Sequence, residues 1–176
     1  MTEQAERAKE LYIQYYGSFV QMHRDGLYEE FKSYDVPESL QIEWGQEMIE
    51  QHSRELSIRN WDAVSALQLI AMNVKHVLII ENIIVFTSRH LMSSDSIVRL
   101  MYAERMMAII KQLRPIMPQP LLLRSLKETV TILENIIAQP LIVDPGHELS
   151  NYGLKDKRAL NLRAKSNVDA IMDSLN

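Results

Sequence analysis

Apolar residues recur along this chain at intervals of three and four rather than two, a period that predicts helices almost throughout. The first helix is expected from about Glu3 to His23, capped by Thr2, with the seam Ala5, Ala8, Tyr12, Tyr15, Phe19, Met22, and ended by Gly26. A short piece over Leu27 to Tyr34 leads to Pro37, which suits the start of a second long helix reaching about Leu56. Its stripe runs through Ile42, Gly45, Ile49, His52 and Leu56, and Gly45 offers room for a neighbouring backbone.

Asn60 is placed to cap a third helix from Trp61, either continuous to about Leu91 or broken near Asn73 to His76. It is apolar nearly all round and is the expected central helix. Ser94 or Asp95 caps a fourth helix to about Leu113, which the connector Pro115 to Pro120 ends. A fifth carries the seam Leu123, Leu126, Val130, Leu133, Ile137 and stops before Pro140. Residues 140–153 read as extended chain with turns at Asp144-Pro145-Gly146 and Asn151-Tyr152-Gly153. A last helix from about Leu154 shows Leu160, Ala164, Val168, Ile171 and Leu175 on one side. The fold class expected is therefore all-α, one domain over residues 1–176, built as a bundle of five to seven helices.

Composition narrows the chemistry. The chain has 176 residues and no cysteine, so disulfides, thiolate nucleophiles and metal–thiolate sites are closed to it. The start of the sequence has no apolar signal-like stretch, and polar residues interrupt the most apolar region, Ala63 to Phe86. A cytoplasmic protein without a membrane anchor is expected. Residues 1–62 carry 13 acidic against 6 basic residues, whereas residues 145–176 carry 4 against 5. An acidic N-terminal third argues against nucleic acid as a partner, because that binding rests on cations neutralising phosphates.

Few motifs in the chain carry recognisable chemistry. The five glycines are scattered singly, which excludes a phosphate-cradling loop, and no G-x-S-x-G turn marks a nucleophile. None of the five histidines has a glutamate three residues before it, as the di-metal sites of helical bundles require; the nearest approach is Asp144-x-x-His147. No cofactor is expected. Glu43, Glu47 and Glu50 share one helix face and, with Glu81, form the carboxylate set that a small metal-dependent hydrolase would use. Glu81 falls among apolar neighbours, where a structural pair with Arg99 or Arg105 is the expected arrangement. His52 reads as a core-edge histidine, His76 as a partly exposed one beside the polar stripe, and Pro115-x-x-Pro118 as a stiff connector.

The basic group Lys155, Lys157, Arg158, Arg163, Lys165 stands out, since only Asp156 opposes it and it opens a helix, where the dipole disfavours cations. These five residues are the expected partner-binding surface. The expected function is non-catalytic: a helical interaction or regulatory protein that binds another protein or itself as a homodimer. The alternatives are the metal-dependent hydrolase, or a ligand-sensing bundle with a cavity near Glu81 or Asn73.

Overall fold

The computed structural model describes residues 3–176, so the expected cap Thr2 lies outside the described residues. Among those residues the chain is all-helical and without strands. Nine α-helices run in order: α1 (Glu3–Gln14), α2 (Phe19–Arg24), α3 (Tyr28–Ser33), α4 (Glu38–Arg54), α5 (Asp62–Asn73), α6 (Leu78–His90), α7 (Ser96–Leu113), α8 (Gln119–Ala138) and α9 (Lys157–Asp173). No helix among them is long and apolar enough to cross a membrane.

The expected first helix is two. Tyr16 and Gly17 both take positive φ, 50° and 71°, and Ser18 then caps α2 by accepting from Gln21 N–H. Gly17 is needed there, because a Cβ would meet the Tyr12 hydroxyl at 3.1 Å as well as adopt a strained backbone. The third helix also breaks, between Asn73 and Leu78. Val74 leaves helical geometry and drives its side chain against Gly45, where an added Cβ would stand 3.1 Å away. The polar residues around it cap both ends: Asn73 donates to Tyr16 O and Leu69 O, Lys75 to Ala71 O, and His76 Nδ1 accepts from Leu78 N–H. Gly45 thus receives a neighbouring side chain rather than a backbone.

Residues 94–103 form a stretch in which every residue is buried. Here α7 packs against α5, α6, α8 and α9. On α8 the expected seam is offset: Leu123 and Ile137 face solvent, while Leu122, Ser125, Leu126, Thr129, Ile132, Leu133 and Ile136 are buried. Ser125 and Thr129 tolerate burial because their hydroxyls donate to carbonyls one turn earlier, Leu121 O and Ser125 O.

Candidate functional site

The segment after α8 crosses the start of α7 and delivers α9 to the α7–α8 face. Asp156 caps α9 by accepting from Ala159 N–H, and Leu160, Ala164 and Ile171 bury against the bundle. That orientation divides the predicted basic group in two.

Lys157 and Arg163 turn inward. The Lys157 ammonium donates to Ile136 O in the last turn of α8, where the unpaired carbonyls of a helix end favour a cation. Burial, with the nearby Arg99 charge, holds its pKa below the ordinary lysine value. Arg163 grips Glu104 of α7 with two parallel bonds of 2.7 Å and donates to Tyr152 O at 2.9 Å. Asn167 adds a third donor to the same carboxylate at 3.1 Å. Burial by itself opposes ionisation of Glu104; the hydrogen bonds from Arg163 and Asn167 and the charges of Arg163 and Arg105 outweigh it, so its pKa lies below the usual carboxylate range.

Lys155, Arg158 and Lys165 turn outward and are exposed, with side chains that make no ion pair or hydrogen bond to the described residues. Arg158 and Lys165 lie seven residues apart on one face of α9, and Leu162 stands between them at 61% exposure. Met172, further along the same face, is also exposed and opens with Leu175 onto an apolar groove of about 350 Å³ against Leu123 and Val130 of α8. The five expected residues therefore divide into three exposed cations and an inner pair that builds the fold.

A second constellation sits where residues 140–147 meet α7. The Asp95 carboxylate, 1% exposed, accepts from Val98 N–H at 2.7 Å through Oδ1. Its Oδ2 accepts from Asp144 N–H at 3.0 Å and lies 2.6 Å from His147 Nδ1. With the proton assigned to Nδ1, the ring donates to Asp95 and keeps Nε2 as an acceptor. Ser96 and Ile142 exchange two further bonds beside it. The His147 ring packs against Trp61 at 5.4 Å, and Trp61 meets Tyr152 edge-on at 5.3 Å. Asp95, Asp144 and His147 are the one group of three metal-ligand side chains that gathers within 4.8 Å among the described residues. Both Asp95 oxygens already have donors, so the arrangement is a latch that pins the crossing segment to the N-terminus of α7. The spacing Asp144-x-x-His147 is visible in the sequence; the third member, about fifty residues earlier, is not.

The other candidates are placed differently from expectation. Glu43, Glu47, Glu50 and Glu81 are all exposed and do not gather; Glu47 pairs with Lys9. Glu81 therefore needs no buried partner. Arg99 is buried instead, donating to Asn135 Oδ1, Met92 O and Ser94 O, and Arg105 donates to Ser65. Burial holds the Arg99 pKa below its ordinary value against the pull of Asp95. His52 contacts Glu55 at 3.1 Å, and residues 114–116 form a short 3-10 turn in the proline connector. No family model, curated protein or solved structure matches the chain.

Proposed function

We propose that the chain is a non-catalytic interaction module that binds an acidic, amphipathic segment of another protein along the outer face of α9. The observation that carries this reading is the outward trio Lys155, Arg158, Lys165, left unpaired among the described residues, with Arg158 and Lys165 flanking the exposed Leu162 on one helix face. Cations that complete a fold are matched from within, as Arg163 is by Glu104; these three are not. Leu162 and Met172 add apolar area beside the charge, and the groove at Leu123 and Leu175 extends it. A partner helix with acidic and apolar residues on one side complements both features.

The hydrolase reading has less support, because its four glutamates are exposed and do not gather within reach of one ion among the described residues. Self-association is a second outcome of the same surface, since the N-terminal helices display the acidic residues a second copy would offer.

The test begins with capture from the source cell by the wild-type chain and by a variant carrying K155E, R158E and K165E. The retained protein is then purified and titrated against both. Binding is expected to fall about tenfold or more in the variant. Equal affinity for both chains would remove α9 as the site. Concentration-dependent dimers in sedimentation, lost in the variant, would make a second copy the partner.

A further inference from the structure

A separate pocket of about 390 Å³ lies between α4 and α6, on surface that the α9 reading does not use. Its floor is aromatic and fixed. The Phe86 ring stacks on Tyr102 at 5.7 Å and 23°, and lies 5.4 Å from the His90 ring at the rim. Tyr102 is fully buried and is itself held at both ends of its hydroxyl, accepting from Ser57 N–H and donating to Ser57 O. Asn82 donates to Ser53 Oγ at 3.0 Å and ties the two helices together across the pocket.

Two arginines line this pocket, Arg54 from the last turn of α4 and Arg89 from the last turn of α6. Cations are favoured at helix C-termini, so both are stabilised there without an acidic partner. Neither side chain makes an ion pair or hydrogen bond with the described residues. Glu50 lines the pocket four residues before Arg54, the spacing at which such pairs form on helices, yet no ion pair joins them. The pocket thus holds two uncommitted guanidiniums against one carboxylate, beside a flat apolar surface made by Phe86 and Val85.

We infer that this pocket binds a small organic phosphate carrying a planar ring. The phosphate is held by Arg54 and Arg89, whose planar donor forks match its oxygens, and the ring lies on Phe86. The carbonyls of the two helix ends repel an anion, so the side chains above them must supply the binding. The volume is within the range of small-molecule clefts.

Phenyl phosphate is the probe, followed by ligand-observed NMR and calorimetry, with inorganic phosphate and phenol as its two halves. Phenyl phosphate is expected to bind about tenfold or more tightly than either half, and R54Q or R89Q to weaken it by about tenfold each. Both arginines are exposed, so the variants should keep the wild-type circular dichroism and melting temperature. The K155E, R158E, K165E variant should bind phenyl phosphate like the wild type, which separates this site from α9. Absence of binding at millimolar probe, or binding that R54Q and R89Q leave unchanged, would overturn the inference.

Discussion

The N-terminal helices and α9 carry opposite charge, and they use it in different ways. In α1–α4 the ion pairs are few and lie near the surface: Arg7 bridges to Glu30 and Glu10, and Lys9 to Glu47. The remaining carboxylates stand in solvent, where exposed pairs contribute little and a surplus of one sign costs little. Of the five cations at and just before α9, two are drawn into contacts that hold the helix in place, and three are left outside. A run of like charge in a sequence is therefore two different things in one helix, and only burial tells them apart.

The sharpest way to break that comparison is to reverse one inward and one outward cation. R163E places a carboxylate against Glu104 and should lower stability by about 2–4 kcal/mol, whereas K165E should stay within about 0.5 kcal/mol; urea denaturation reads both. Similar losses from the two changes would show that the division of α9 is wrong. Next in size is D95A. It leaves Val98 N–H and Asp144 N–H without an acceptor and should cost about 2–3 kcal/mol, with faster hydrogen exchange at Ile142 and Asp144 while α1–α4 stay protected.

Acid sharpens the contrast further. Glu104 has a folded pKa below its unfolded value, so its contribution is fully present above about pH 4.5 and is lost as pH falls through the folded value. E104Q should therefore flatten the acid limb of stability below about pH 4.5. Glu30 is also lowered, by hydrogen bonds from Arg7 and Tyr34, but it is more open to solvent and E30Q should flatten that limb less. The smallest effect is expected at Glu47, where E47A should change stability by less than about 0.5 kcal/mol, because its pair with Lys9 is exposed on the acidic side.

Much of the architecture is legible in the sequence. Helical periodicity, the cap at Asp95 and the stop before Pro140 all follow from local chemistry. What stays hidden depends on distant neighbours. The break at Tyr16 and Gly17 needs Tyr12 and Val74 to press on one glycine. The offset seam of α8 escapes an apolar count because Ser125 and Thr129 satisfy their hydroxyls within their own helix. Glu81 looks buried in a helical projection, yet the face it shares with Val85 opens to solvent. The division of the basic group turns on Glu104 and Ile136, which periodicity cannot bring to Arg163 and Lys157. The latch joins residues about fifty positions apart.

The most direct test of the α9 surface is site-specific photo-crosslinking in the source cell, with the reactive group at Leu162 and, as a control, at Val20 on α2. Both positions are exposed, at 61% and 65%, so accessibility does not distinguish them. The expected result is a defined adduct from Leu162 to a protein segment rich in Asp and Glu, absent from Val20 and lost when Arg158 and Lys165 are reversed to Glu. No adduct at Leu162, or the same adduct from both positions, would contradict the proposed role of α9.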